Sequence, residues 1–313
     1  MKRKIGYSLL SAALLFFGAA IIIHPERYVS RCFQGFAVWA ECVLPSLFPF
    51  MVITLIFVKS GIAQRASLPL KPFTDKLKLP APTAACFILS IFSGYPAGSR
   101  TVAEFCENGC IPRGECPKVA YLCSTSGPLF IVGSVGYKMF SNSLAGFKIL
   151  MCHILSVTAV SLVIALLSKR GKKGVAPRIS PSDNLLYDCF YSAVVAVAVA
   201  GGFIAFFFVV ATFCSDFNIF YPVEFILNPL FDENISSALC LGLVEATTGC
   251  AALASCGGKL SIALAGFSIT FGGLSILLQQ LCYLVKAGVK PLKFIGVKFI
   301  QAVICFGLLM LIA

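Results

Sequence analysis

Long apolar runs dominate this chain, and in each half one of them is interrupted by a short, polar, helix-breaking motif. The first interruption is SGYPAGSR, Ser93 to Arg100, and the second is GLVEATTG, Gly242 to Gly249. Each is followed by a segment that mixes Gly with Ser or Thr inside another apolar run: STSGPLF (Ser124 to Phe130) and SITFGGLS (Ser268 to Ser275). Backbone that leaves a helix at membrane depth is tolerated only against protein or a water-filled cavity. Interrupted spans at corresponding places in two halves therefore point to a transporter's binding region.

A membrane class follows from composition. Hydrophobic residues make up 58% of the chain and charged residues only 12%, against about 25% charged in a soluble domain. Several runs approach the roughly 20 residues that cross a bilayer. The clearest are Ile5–Ile23, Leu144–Leu167, Leu185–Phe213, Leu260–Val285 and Phe294–Ala313, with Cys32–Val58 and Val119–Gly136 as interrupted cases. The fold class is all-α, a polytopic integral membrane protein. Lys2, Arg3 and Lys4 before the first run resemble a signal-peptide start. That run is longer than an h-region of about 7–15 residues, so it reads as a retained helix.

The net charge of +12 does not imply nucleic acid as a partner, because the basic residues fall in loops. They cluster at Lys59, Arg65, Lys71, Lys76 and Lys78; at Arg113 and Lys118; at Lys169, Arg170, Lys172, Lys173 and Arg178; and at Lys286, Lys290 and Lys293. The segment Ser215–Ile235 holds Asp216, Glu224, Asp232 and Glu233 with no Lys or Arg. The positive-inside rule makes the basic loops and the N-terminus cytoplasmic, facing anionic membrane lipid. Span parity then requires Thr83–Val102 to enter and turn back as a re-entrant hairpin with its tip at Gly94–Gly98. Ser236–Ala254 dips in from the opposite side, with its tip at Thr247–Gly249. Each half becomes crossing, hairpin, crossing, crossing, in opposite directions: an inverted-topology repeat. The expected organisation is an N-terminal helix (1–31), a first repeat (32–168), a basic cytoplasmic linker (169–184) and a second repeat (185–313).

VLPSLFPF (Val43 to Phe50), SGYPAGSR, STSGPLFIVGSVG (Ser124 to Gly136), VEATTG and FGGLSILLQ, in this order, resemble the YlbJ family of sporulation integral membrane proteins. The likeness runs from about Trp39 to the C-terminus. Ser124 and Gly127 depart from a family segment that typically reads like NTASPLF. The family belongs to the nucleoside recognition, or Gate, domain group, which resembles the cores of concentrative nucleoside transporters. The resemblance implies inverted repeats with paired hairpins in a bacterial cell membrane, including the forespore outer membrane. It also implies a role in endospore formation and in moving dipicolinate, a pyridine dicarboxylate.

The residues of the first break suit an anion. Gly94 and Gly98 permit unusual dihedrals and Pro96 cannot donate, so the chain is expected to unwind and restart as a helix near Ser99. Free N–H groups of that restarting helix would favour a carboxylate. Arg100 would add a bidentate contact from the first turn, or else pair with Glu104 four residues on. Tyr95 belongs to the same motif. Glu245, just before Thr247 and Thr248, is a candidate for binding a coupling H⁺ or Na⁺, or a carboxylate that only holds hairpins together. Glu41 is a weaker candidate of the same kind. Ser124, Thr125 and Ser126, with Ser268 and Thr270 in the second half, offer hydroxyls that either line a site or let helices pack closely.

Other chemistry finds no support. The 15 cysteines contain no C-x-x-C pair. Cys106, Cys110 and Cys116 share a loop expected to be cytoplasmic, where thiols stay reduced. His24 and His153 lie in no catalytic or metalloprotease pattern, and no phosphate-binding or dinucleotide motif occurs. No enzyme activity, cofactor or metal is expected. The leading function is a secondary transporter of a small organic anion, such as a dicarboxylate, coupled to H⁺ or Na⁺. A nucleoside transporter and a non-transporting membrane scaffold or sensor remain alternatives, and homo-oligomerisation stays open.

Overall fold

The structure is a computed structural model and describes residues 2–169 and 183–312. Most of the expected basic linker at 169–184, including Arg170, Lys172, Lys173 and Arg178, lies outside the described residues. So do the side chains of Lys2, Arg3 and Lys4.

Among the described residues every regular element is helical. The first half contains α1 (Lys2–Ile23), α2 (Pro25–Val38), α3 (Leu44–Lys59), α4 (Ile62–Ser67), α5 (Lys71–Lys76), α6 (Thr83–Ser93), α7 (Ala97–Glu107), α8 (Cys116–Leu122) and α9 (Ser143–Leu167). A π-helical turn at Trp39–Val43 joins α2 to α3, and a π-helical stretch, Leu129–Met139, follows α8. The second half contains α10 (Leu185–Asp216), α11 (Tyr221–Leu227), α12 (Glu233–Val244), α13 (Ala246–Cys256), α14 (Gly258–Phe271), α15 (Gly273–Leu284) and α16 (Pro291–Ile312). Among the described residues, five helical stretches are long and apolar enough to cross a membrane: Pro25–Lys59, Ser143–Leu167, Leu185–Asp216, Gly258–Leu284 and Pro291–Ile312. The boundary expected between 31 and 32 falls inside α2.

The two interrupted spans fold back on themselves. A Cβ placed on Gly98 of α7 would lie 2.6 Å from the Cβ of Ser90 in α6, although in one straight helix these positions stand about 12 Å apart. Likewise a Cβ on Gly249 of α13 would lie 2.2 Å from the Cα of Gly242 in α12. These helices meet backbone to backbone, which is why small residues stand there.

Both breaks differ from expectation in position. The first was expected over Gly94–Gly98, with a restart near Ser99. It is confined to Gly94, Tyr95 and Pro96, and α7 begins at Ala97. Gly94 holds φ +68°, and the Tyr95–Pro96 peptide is cis. A proline immediately before the first turn loses nothing, because amides there have no intrahelical partner. The second tip was expected at Thr247–Gly249, but it is Glu245, which is extended (φ −138°, ψ 112°). Its carboxylate accepts a hydrogen bond from the Thr248 N–H at 2.7 Å, so Thr247 and Thr248 already belong to the first turn of α13.

Each hairpin break is seated against the break in the element that follows. A Cβ on Gly94 would come within 2.5 Å of the Gly127 nitrogen, between α8 and the π-helical stretch. A Cβ on Gly273, the first residue of α15, would come within 2.8 Å of the Gly242 carbonyl oxygen. One buried apolar core then joins the halves, drawing Val102, Phe105 and Ile131 together with Leu253, Ile269 and Leu277.

Loop contacts sort the ends of the bundle. Lys78 donates to the Leu166 carbonyl (2.6 Å), Lys118 to the Lys169 carbonyl (2.9 Å) and Lys59 to Ser192 (3.1 Å). At the far end of α10, Asp216 takes the guanidinium of Arg27 and the hydroxyl of Tyr28 (3.1 Å). One expectation is corrected here. Cys106 and Cys116 are joined in a disulfide, because the last turn of α7 and the first of α8 bring their Cα atoms to 6.5 Å, while Cys110 stays free and buried.

Replacing Gly249 by Val should separate α12 from α13 and cost at least the roughly 1–3 kcal/mol typical of overpacking. Gly202→Ala, where nothing lies within 4 Å, should cost far less. Unfolding midpoints in detergent compare the two.

Candidate functional site

Both hairpin breaks open on one cavity of about 60 Å³, large enough to admit water. Gly94 and Tyr95 from the first break, Ser126 from the segment between α8 and the π-helical stretch, Glu245 and Thr247 from the second break, and Gln279 of α15 contribute to its wall. Ser46 and Leu47 of α3 and Ala200 and Ile204 of α10 also line it.

Glu245 is the one acidic group in that wall, and it is fully buried. Its Oε2 accepts from both the N–H (2.7 Å) and the hydroxyl (3.0 Å) of Thr248, while Oε1 has no partner. The side chain turns to the N-terminus of α13, where partial positive charge favours it. One carboxylate oxygen of this cavity-lining residue is therefore left without a partner.

Behind the wall lies a layer of buried polar groups. The Ser99 hydroxyl donates to Gln280 Oε1 at 2.9 Å, and the Ser124 hydroxyl donates to the same oxygen. The Ser126 N–H donates to His153 Nε2 at 2.9 Å. Since Nε2 accepts, a neutral His153 carries its proton on Nδ1 and donates it to the Thr270 hydroxyl at 2.9 Å. The Tyr95 hydroxyl lies 3.3 and 3.4 Å from the Ile269 and Thr270 carbonyls at the end of α14. Lys298 of α16 donates to the Tyr95 oxygen (3.1 Å) and to the Ser124 carbonyl (2.9 Å).

The sequence-derived candidates thus separate into groups. Gly94, Tyr95, Ser126, Glu245 and Thr247 line the cavity, with Thr248 fixing the carboxylate. Ser99, Ser124 and Thr270 form the second layer. Gly98 and Thr125 serve packing: a Cβ at Gly98 would meet the Cys123 carbonyl oxygen at 2.1 Å, and Thr125 donates to Ser90 at 3.2 Å. Ser268 is buried against Gly242 with an unpartnered hydroxyl. Glu41 is exposed.

Arg100 is not at this cavity. It donates to the Ser192 carbonyl at 2.9 Å and lines a second, larger cleft of about 610 Å³ with Lys59, Glu104, Glu107 and Lys286. The salt bridges among the described residues are Arg27–Asp216 and Glu115–Lys118, so the expected Arg100–Glu104 ion pair is absent there. An apolar cluster containing Leu47, Met51, Ala97, Ala196 and Ala200 joins the cavity wall to the cleft wall.

Sequence reasoning missed Lys298, Gln279 and Gln280, and it set His153 aside. The available signal was an ionisable or amide side chain inside an apolar span, which marks an internal pathway by default.

Comparison with known proteins places this chain beside one relative. Sporulation integral membrane protein YlbJ of Bacillus subtilis (strain 168) is 25% identical, over 99% of this chain and 83% of its own length. No family model matches. No solved structure matches.

Glu245→Ala should remove the cap of α13 and cost about 0.5–2 kcal/mol. Glu245→Gln keeps an acceptor for Thr248 and should cost less. Thermal unfolding in detergent at neutral pH compares the two variants.

Proposed function

We propose, from a chain whose near-full-length alignment assigns it to the YlbJ family of sporulation integral membrane proteins, that this is a secondary membrane transporter of a small organic anion acting in sporulation. The observation that carries the reading is the convergence of both broken hairpins on one cavity with a free carboxylate oxygen in its wall. Broken helices leave backbone dipoles and hydroxyls at membrane depth, where a polar solute can use them in place of water. The two halves follow the same order of hairpin, broken crossing and crossing, and we take them as inverted repeats with re-entrant hairpins.

Transport then requires access from each side in turn. The apolar cluster of Met51, Ala97, Ala196 and Ala200 closes the path from the cavity to the cleft that holds Arg100, Lys59 and Lys286. Movement of α7 against α3 and α10 opens it. Arg100 acts in that cleft as the approach for an anion, while Glu245 binds the coupling H⁺ or Na⁺ beside the cavity.

Purified protein in liposomes should take up pyridine-2,6-dicarboxylate faster than any nucleoside, with the rate set by a pH or Na⁺ gradient. Equal exclusion of dicarboxylates and nucleosides under every gradient would favour a non-transporting membrane component. Glu245→Gln should lower the gradient dependence of uptake by about tenfold while the protein stays folded. A gradient response equal to that of the unaltered protein removes Glu245 from the coupling role.

A further inference from the structure

Lys298 has no exposed surface, yet among the described residues no carboxylate pairs with it. Its ammonium meets only a phenol oxygen, a peptide carbonyl and the face of the Tyr95 ring, 5.2 Å from the ring centroid. The titratable groups around it are Tyr95, His153 and Cys305, and none is an acid of the carboxylate class. His153 is held as the neutral tautomer by the Ser126 N–H, so it brings neither a charge nor a free acceptor. Lysines inside a membrane protein ordinarily pair or mark the path of a charged solute.

The surroundings carry a surplus of donors. Two of the three ammonium N–H groups have partners. Gln280 accepts at Oε1 from Ser99 and Ser124, and its Nε2 is buried with no partner at all. Lys298 and Gln280 thus bracket Ser124, one on its carbonyl and the other on its hydroxyl, with N–H groups left unmatched. Tyr95 is the one side chain that both lines the cavity and covers Lys298. On another part of the same wall, Glu245 Oε1 is a free acceptor.

We infer that Lys298 is the counter-charge for the anionic end of the substrate, reached when the Tyr95 side chain swings aside, and that it makes the site specific for carboxylates. This inference rests on the transport reading above. It assigns the two ends of the cavity opposite roles: the cation or proton at Glu245, the carboxylate at Tyr95 and Lys298. A neutral nucleoside would leave the ammonium without a counter-charge.

The test uses the full chain and pyridine-2,6-dicarboxylate, with its neutral diamide as control. Binding is read from the ligand-induced shift of the unfolding midpoint in detergent, and uptake from liposomes. Lys298→Met should abolish the midpoint shift and cut uptake at least tenfold. Its own unfolding midpoint without ligand should be unchanged or higher, since replacing a buried charge by an apolar side chain of similar size is often neutral or stabilising. Tyr95→Phe removes the acceptor that competes for the ammonium, so KM for the dicarboxylate should fall at least threefold. Wild-type affinity for the dicarboxylate in Lys298→Met would overturn the inference. So would a loss in Tyr95→Phe as deep as that in Lys298→Met, because the pair would then be a structural clip. If Lys298→Met does not fold, the direction of the Tyr95→Phe change decides. Binding without uptake in the unaltered protein rejects the transport reading and leaves Lys298 as the anion site. Equal midpoint shifts with the diamide reject the Lys298 assignment alone.

Discussion

A helix interrupted inside hydrocarbon must hand its unpaired amides and carbonyls to protein, since there is no water to take them. This accounting organises the molecule. The amide of Ser126 is taken by a histidine from α9, and the last carbonyls of α14 lie against the hydroxyl of Tyr95. The Ser124 carbonyl is taken by a lysine from α16. The first amides of α13 are capped by the carboxylate that ends α12. The breaks beside Ser124–Ser126 and after α14 are thus satisfied by other elements, while the α12–α13 break caps itself.

That mutual dependence ties architecture to mechanism. The groups that satisfy the breaks lie in the cavity wall or directly behind it, where a few buried groups have more capacity than the protein uses. Glu245 keeps one oxygen free and Gln280 keeps its amide nitrogen free. A buried polar group without a partner costs about 1–3 kcal/mol, so the free oxygen of Glu245, a residue of the cavity wall, is open to a further partner. A hairpin that moves must release its partners, which confines motion to a few discrete arrangements.

Much of this was legible in the sequence because the breaks are written in Gly, Pro and lone charges. Gly94 and Pro96 announce the first turn, and Glu245 stands alone in an apolar run. What failed was position at the scale of one helical turn. Thr247 and Thr248 read as the second tip, but a capping carboxylate two residues earlier starts the helix before them. Arg100 follows Ser99 in sequence, yet a helix turns about 100° per residue, so the two side chains part: Ser99 inward to Gln280, Arg100 to another cleft. Lys298 was obscured by Lys290 and Lys293. Near the start of a span it reads as a basic flank whose stem snorkels to the interface, and only the packing of α16 against the broken elements reveals that it is buried.

Trp39 is the single tryptophan of the chain. Its indole N–H donates to the Val197 carbonyl of α10 at 3.1 Å, and its ring lies so close to Gly201 that a Cβ there would meet it at 2.7 Å. Ala200, between these two positions, is part of the cavity wall. The indole therefore sits on the seam between the bent Pro25–Lys59 stretch and α10, one layer from the candidate site. Any sliding along that seam changes the polarity around one chromophore with no second tryptophan to mask it. Under the transport reading proposed above, the native chain carries its own optical gauge of opening and closing, readable as a shift in emission colour without a label.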